Sequence, residues 1–378
     1  MKILHLIFSE QVGGAEKYLL NLLPALCKEN IDCELILVTP KKSKIKFTGF
    51  CTEMEQKGVK TLMITGNKYN FVSIAGKIGK YLKQNNIRFL HTHLFKSDIL
   101  AVIVKKLYYK KIFLISTKHG YQEKYFIHYH NHKGKINYDL YYFISKYLGH
   151  NFNENITISR AMSDLYFNLK LTPTRMHYIH HGIDLPISSF NENPGEFKSA
   201  VPQLIIAGRI EKIKGHQYLL EAMPKVKEAF PNVKLIVIGN GSQKIHLASQ
   251  VSRLGIGHTV SFLGFQQDPY AFIAASDILV LPSLYEPFGL VFIEAFALKA
   301  PVIAFDVPAA NELISPDETG ILVPVHDINS LAQKIIYLLN NATERQRLAQ
   351  NAYIRYTSHF HTARMIGETV NWYNSLLT

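Results

Sequence analysis

Two carboxylates stand in one of the most apolar stretches of the chain, LYEPFGLVFIEAFALKAPVIAF (284–305). Glu286 precedes a proline, and Glu294 is embedded among Val291, Phe292, Ile293, Ala295 and Phe296. A bare charge is expensive to bury, so each needs a partner. A ligand rich in hydroxyls meets that need, because a carboxylate accepts hydrogen bonds from a diol. The flanking runs DILVLP (277–282) and PVIAF (301–305) read as strands, which leaves a helix over roughly 289–298 between them. Gly289 lets the backbone be approached closely, and the first helical amides point out unpaired. With the helix dipole they offer a place for a phosphate. Glu294, about one and a half turns in, then suits a ribose, and Glu286 suits whatever extends beyond the phosphates. The plainer alternative has Glu286 capping a turn and Glu294 paired with a buried arginine.

A second constellation is IIAGRIEKIKGHQYLLEA (205–222). A strand ends in Gly208, and Arg209 and Lys214 follow on a short loop before a helix. Arg209 offers a fork for a diphosphate and Lys214 a point charge. The plainer reading is a solvated surface loop. A third is SEQVGGAEKYLLNLLPAL (9–26), with Gly13 and Gly14 at a helix start. It matches neither GxGxxG nor a GK[ST] loop, so a nicotinamide-dependent oxidoreductase is not indicated.

Histidine is abundant, with 17 residues. His93 and His119 each follow a strand-like run, at its carboxyl end. His119 is the one placed to touch a reacting group. His128, His130 and His132 alternate, which superficially resembles a metal site, but no carboxylate or cysteine accompanies them and an exposed loop is expected. His180 and His181 precede a glycine. For the others a surface or satisfied core role is expected.

These residues need a frame to hold them. KILHLIF (2–8), CELILVT (33–39), VKTLMI (59–64), FLHTH (89–93), IFLIST (112–117) and NITIS (155–159) read as buried parallel strands separated by amphipathic helices. A segment rich in Ser, Asn, Pro and Gly (185–202) reads as a linker. A second series follows: QLIIAG (203–208), VKLIVIG (233–239), TVSFLG (259–264), DILVLP, PVIAF and GILVP (320–324). Alternating β and α segments mean parallel sheets covered by helices, here in two α/β lobes spanning 1–184 and 203–359. The closing stretch, 344–377, reads as helical and amphipathic, with its last part, about 360–378, returning to the first lobe. Open parallel sheets bind ligands at their carboxyl ends.

With 378 residues, 47% of them hydrophobic, the chain has material for two cores. Cys27, Cys33 and Cys51 form no CxxC pair and are odd in number, which suits a reducing cytoplasmic setting. The opening MKILHLIFSE has too short an apolar run for a signal peptide, and no run of about 18 apolar residues is present to span a membrane. The formal net charge of +13 attracts phosphates of some kind. Lysines cluster at KKSKIK (41–46) and KKLYYKK (105–111), and the second cluster fits either a patch on the inner membrane face or a solvated helix end.

Taken in order along nearly the whole chain, VGGAE, HTHLFKSD, KHG, HHGID, AGRIEKIKGH, VIGNG, VSFLGF and YEPFGLVFIEAFALKAPVIA resemble the family 4 glycosyltransferases. The last resembles that family's E-x7-E motif, with Glu286 and Glu294 as its ends. The resemblance implies a GT-B fold, two Rossmann-like lobes facing each other across a cleft. It implies that Arg209, Lys214 and the backbone at Phe288, Gly289 and Leu290 hold a donor diphosphate. Glu294 would bind the ribose, and Glu286 the donor sugar. His119 would approach that sugar from the first lobe, and Gly13–Gly14 would line the phosphate side. His181 stands where the family usually has asparagine, and VIGNGSQ is a loose version of its glycine turn.

The implied activity is a retaining transfer of a sugar from a nucleotide-diphosphate sugar, by default a UDP-sugar, to a hydroxyl of a saccharide or lipid-linked acceptor. This would serve cell-surface polysaccharide or glycolipid synthesis. No metal or other cofactor and no nucleic-acid partner is expected, and the protein would be cytoplasmic, with contact at the membrane surface. The rival readings are a nucleotide-sugar epimerase of the same fold and a non-enzymatic basic module for nucleotides or membranes. The latter leaves the strand-end motifs unexplained.

Overall fold

The computed structural model describes residues 1–125, 138–185, 200–266 and 268–377. Most of the expected linker, 186–199, and His128, His130 and His132 lie outside them. The chain divides into two compact units, Met1–His181 with Thr362–Thr378, and Gly182–His361.

The first unit runs β1 (Lys2–Phe8), α1 (Gly14–Lys28), β2 (Asp32–Thr39), α2 (Lys44–Gln56), β3 (Lys60–Thr65), α3 (Phe71–Gln84), β4 (Phe89–His93), α4 (Phe95–Ile103), β5 (Phe113–Lys118), α5 (Leu140–Asn151), β6 (Glu154–Thr157), α6 (Arg160–Asn168) and β7 (His177–Tyr178). Its strands form one parallel sheet in the order β3-β2-β1-β4-β5-β6-β7. The second unit contains β8 (Gln203–Ala207), α7 (His216–Ala229), β9 (Lys234–Ile238), α8 (Lys244–Arg253), β10 (Val260–Gly264), α9 (Tyr270–Ala275), β11 (Ile278–Leu281), α10 (Leu290–Ala297), β12 (Val302–Phe305), α11 (Pro308–Leu313), β13 (Ile321–Val323), α12 (Ile328–Asn340) and α13 (Ala342–His359). Its parallel sheet has the order β10-β9-β8-β11-β12-β13. The expected helical tail is two helices, because α13 ends at His359 and α14 (Thr362–Ser375) returns to the first unit. The two-residue β7 was not anticipated; its residues are exposed and carry no apolar run to signal a strand.

Side chains on a strand point alternately to opposite faces, and the first sheet uses this to separate two chemistries. On β1, Ile3 and Ile7 pack with Leu19, Leu22 and Phe47 toward α1, α2 and α14, while Leu4, Leu6 and Phe8 pack with Ile74, Ile78 and Leu100 toward α3 and α4. His5, His91 and His93 fall in the first set of positions and are fully buried. Thr92, Ser116 and Lys118 fall in the second and meet Asp98 of α4. Asp98 accepts from Thr92 Oγ1 at 2.5 Å, Ser116 Oγ at 2.8 Å and Lys118 Nζ at 2.7 Å. Lys118 and Asp98 have side chains only 7% and 4% exposed.

A buried pair of this kind adds little over apolar residues of the same size, but removing one member strands the other. Lys118→Met is therefore expected to destabilise the first unit by about 3–5 kcal/mol, read as a lower urea midpoint. An unchanged midpoint would mean that the two hydroxyls alone satisfy Asp98.

Candidate functional site

In the second unit β8 lies between β9 and β11, so the chain leaves β8 in opposite directions along the sheet. Loops that diverge at such a point leave room for a ligand beyond the carboxyl ends. The loops concerned are 208–215 after β8 and 282–289 after β11. They carry Arg209 and Lys214 on one side and Glu286 and Gly289 on the other.

The first loop is held from beneath by a glycine turn. Ile210 N–H donates to Asn240 O at 2.9 Å, Gln243 N–H to Ile210 O at 3.0 Å, and Ser242 Oγ to Glu211 Oε2 at 2.6 Å. A Cβ on Gly239 would lie 1.8 Å from Gly208 O, and one on Gly241 would lie 2.2 Å from Ile210 O. The turn that departs from the family pattern therefore still does the packing that glycine permits. The two loops are joined by Leu284 N–H donating to Ile213 O at 2.7 Å. Gly215, at φ 73°, lies so close that a Cβ would be 1.7 Å from Pro282 O.

Side chains complete the join. Lys214 Nζ donates to Glu286 Oε1 at 2.7 Å, and Ser283 Oγ donates to the same oxygen at 2.9 Å. The expectation that only a ligand would meet Glu286 is thus corrected. Its carboxylate is 6% exposed on the side chain, and a buried charge is here answered by protein. Sequence reasoning placed Lys214 and Glu286 in separate roles. Their contact depends on β8 and β11 being neighbours, which no local pattern reports.

Gly289 caps α10 with φ 99°, and no side chain caps the helix amides. A Cβ at that position would collide with the Phe292 ring at 2.5 Å, so both conformation and space require glycine. Arg209 is exposed at the start of its loop. Phe288 is buried, its ring edge-on to Phe360 at 6.3 Å, and Leu290 begins the helix. Glu294 is partly exposed on α10. It is close enough to Tyr270 that its charge, after burial and together with Asp268, pushes the phenol up to about 12. His216, which sequence reasoning passed over, opens α7 beside Lys214. Both its ring nitrogens are buried without a hydrogen-bond partner among the described residues, and burial followed by the Lys214 charge pushes it down to about 4.

In the first unit Gly13 is in extended backbone that any residue adopts, and Gly14 is the first residue of α1. Gly13 N–H donates to Glu16 Oε2 at 2.7 Å, so this amide, expected to line a phosphate, is already engaged by the helix's own third residue. His119 follows β5 and joins a row of rings rather than standing alone. His119 Nε2 is 3.0 Å from His93 Nδ1, and His93 Nε2 is 3.0 Å from His5 Nδ1. Tyr18 packs edge-on against His119 at 5.1 Å and tilted against His181 at 4.5 Å. His181, for which a surface or satisfied core role was expected, is a buried member of this group, while His180 is partly exposed. Alternating histidines on β4 were visible in the sequence; that His5 lies beside them was not, because register Leu4↔Leu90 and His5↔His91 is a property of the assembled sheet.

Two family descriptions match the chain: "Glycosyltransferase Family 4" over residues 12–186 and "Glycosyl transferases group 1" over 189–355. An uncharacterised glycosyltransferase of Methanocaldococcus jannaschii is 30% identical over 230 residues, 58% of this chain and 59% of that one. A Campylobacter jejuni 4-alpha-N-acetylgalactosaminyltransferase, named for N-acetylgalactosamine-N,N'-diacetylbacillosaminyl-diphospho-undecaprenol, is 29% identical over 196 residues, 51% of this chain and 52% of that one. The matches thus span little more than half the length of these relatives. Among solved structures, Anabaena HepE in complex with UDP and glucose superposes with a TM-score of 0.80 at 20% identity, covering 99% of this chain and 100% of that one. At that identity the likeness is one of fold.

The buried histidines impose a pH dependence. Burial pushes His5 down from 6.5 to about 3. Above about pH 6.5 it is neutral folded or unfolded; below, the unfolded chain binds a proton that the native row does not. Stability is then lost as pH falls from about 6.5 toward 3, by about 1.4 kcal/mol per pH unit for this ring. The urea midpoint of the first unit is expected to be lower at about pH 5.5 than at about pH 7.5, and His5→Phe should shrink the difference. An equal gap in both proteins would show that His5 is charged in the native state.

Proposed function

The chain belongs to the family 4 glycosyltransferases of GT-B fold, and we propose that it is a retaining enzyme that moves a sugar from a UDP-sugar to a hydroxyl of a saccharide or lipid-linked acceptor. The observation that carries this reading is the joined pair of loops at the carboxyl ends of β8 and β11. There a lysine bound to a buried glutamate joins the two loops, one of which begins with an exposed arginine while the other leads into a helix start without a side-chain cap.

In this reading the bond from the anomeric carbon to the diphosphate oxygen breaks, and its electron pair leaves with the nucleotide. The acceptor oxygen forms the new bond, and its proton passes to the departing diphosphate oxygen. Negative charge grows on the leaving diphosphate. The Arg209 guanidinium, the Lys214 ammonium and the backbone amides leading into α10, at Phe288, Gly289 and Leu290, are the groups that answer it. These fixed positive groups are set before the substrate arrives, so little reorganisation is needed, and no metal is required for charge neutralisation. Glu294 takes the ribose hydroxyls. Glu286, fixed by Lys214 and Ser283, takes a hydroxyl of the donor sugar while orienting the lysine. His119 takes another sugar hydroxyl. UDP is preferred as the carrier because HepE was solved with it, and a lipid-linked acceptor because the C. jejuni relative is named for a diphospho-undecaprenol one.

Contact with an anionic cytoplasmic membrane face forms part of the proposal. On α5, Leu140, Phe143 and Tyr147 are exposed at helical spacing, at 74%, 58% and 54%. Nearby, Leu107 is exposed amid Lys105, Lys106, Lys110 and Lys111, and Lys105 Nζ reaches Asn151 O at the end of α5. Apolar side chains beside lysines suit a headgroup layer. No helix among the described residues is long and apolar enough to cross a membrane.

Nucleotide sugars supplied without acceptor should be hydrolysed slowly, and the one cleaved with release of UDP identifies the donor. Lys214→Ala is expected to raise the barrier by roughly 2–4 kcal/mol, and Glu294→Ala to weaken UDP binding, read as a smaller thermal shift. Wild-type rate and wild-type UDP affinity in both variants would end the reading. For the membrane, sedimentation with phosphatidylglycerol vesicles at low salt should carry the protein down and high salt should release it; no binding at low salt removes that part.

A further inference from the structure

The buried rings of the first unit form an unbroken line of hydrogen bonds that the reaction as described does not use. Thr117 Oγ1 is 2.7 Å from His91 Nε2, and His91 Nδ1 is 2.5 Å from the Tyr373 hydroxyl of α14. The same hydroxyl is 3.5 Å from His5 Nε2. His5 Nδ1 meets His93 Nε2, and His93 Nδ1 meets His119 Nε2, each at 3.0 Å. His119 Nδ1 has no hydrogen-bond partner among the described residues and forms the free end.

Metal binding is the first alternative, since nitrogens of His5, His91 and His93 all lie within 4.8 Å of one another. The geometry argues against it. Both nitrogens of His91 are taken by hydroxyls. The facing nitrogens of the other two rings are taken by each other, His5 Nδ1 and His93 Nε2 at 3.0 Å.

A neutral imidazole has one N–H and one lone pair. Burial keeps these rings neutral. Every nitrogen–nitrogen contact then needs one donor and one acceptor, and with the Tyr373 hydroxyl donating to one of its two rings and accepting from the other, a choice at one end fixes all the others. The line has two consistent states. In one, Tyr373 donates to His91, His5 Nε2–H donates to the Tyr373 oxygen, His93 Nε2–H donates to His5, and His119 Nε2–H donates to His93. In the other every hydrogen bond is reversed and His119 carries its hydrogen on Nδ1. A separation of 2.5 Å suits an O–H donor and is short for an N–H donor. That selects the first state.

We propose that Tyr373, His5 and His93 are positioning residues that hold His119 with its hydrogen on Nε2, so that Nδ1 offers a lone pair to a hydroxyl of the sugar substrate. The proposal rests on the assignment of His119 to the sugar. Tyr373 acts three rings away from His119, through His5 and His93. No ring gains charge, and no net proton moves.

The test is nitrogen-15 NMR of the full chain labelled at histidine, with the His119 signals assigned by their loss in His119→Gln. In the wild type His119 should show hydrogen on Nε2 only. Tyr373→Phe keeps the ring and removes the hydroxyl; His119, which Tyr373 does not touch, should then shift to a mixture of both tautomers. His5→Phe should do the same and serves if Tyr373→Phe does not fold. In whichever variant folds, kcat/KM for transfer should fall about tenfold, the worth of one neutral hydrogen bond, with UDP affinity unchanged. An unchanged His119 spectrum in the folded variants overturns the proposal, as does zinc bound stoichiometrically to the wild type. A tautomer shift without a change in transfer would keep the relay and remove the sugar contact on which the assignment of His119 rests; loss of UDP binding would instead report on the second unit.

Discussion

A lysine and a glutamate 2.7 Å apart join the loops that leave the two central strands of the second sheet. Much depends on this pair. Glu286 is too buried to stand without a counter-charge, and Lys214 supplies it from the loop after β8. Each fixes the other, and Ser283 also holds the glutamate. The pairing also sets the charge that a ligand meets. Lys214 is partly neutralised, so the loop pair is stable before anything binds, while exposed Arg209 keeps its full charge toward solvent. In the proposed reaction, an incoming diphosphate would meet a lysine whose position is already set.

The two units solve the same architectural problem with different interiors. In the second, β8, β11 and β12 are buried at every position and almost wholly apolar, and polarity is confined to the loops at the strand ends. In the first, polarity runs into the sheet itself, with a line of imidazoles on one face and the Asp98–Lys118 group on the other. Buried polar groups hold their stability only when every partner is in place. The first sheet is therefore the less forgiving of the two. The bond between Phe8 N–H and Ser97 Oγ at 2.7 Å, and the left-handed turn at Leu94 with φ 71° directly after His93, belong to the same tightly specified region.

The alternation of apolar runs and amphipathic helices was legible in the sequence, and every strand but β7 lies within one or two residues of where it was expected. Two Rossmann-like units follow from that alternation. The residues at strand ends were also legible, because Gly, Arg, Lys and Glu at those places break an apolar pattern. What was not legible is adjacency. Lys214 and Glu286 are 72 positions apart, and His5 and Tyr373 are 368 apart. Their contacts follow from strand order and register, which single segments do not encode. Burial of a polar side chain was equally hidden: His5 and His91 read as ordinary polar positions until the sheet and α14 close over them.

Helix α14 has a consequence for how the molecule is made. It belongs to the first unit, yet the ribosome reaches it only after the whole second unit has been synthesised. Domains usually fold as they emerge, the amino-terminal one first. Here the earlier body must wait, its imidazoles facing an unroofed surface, until the final helix arrives to cover them. The half that begins folding first is the last to be finished.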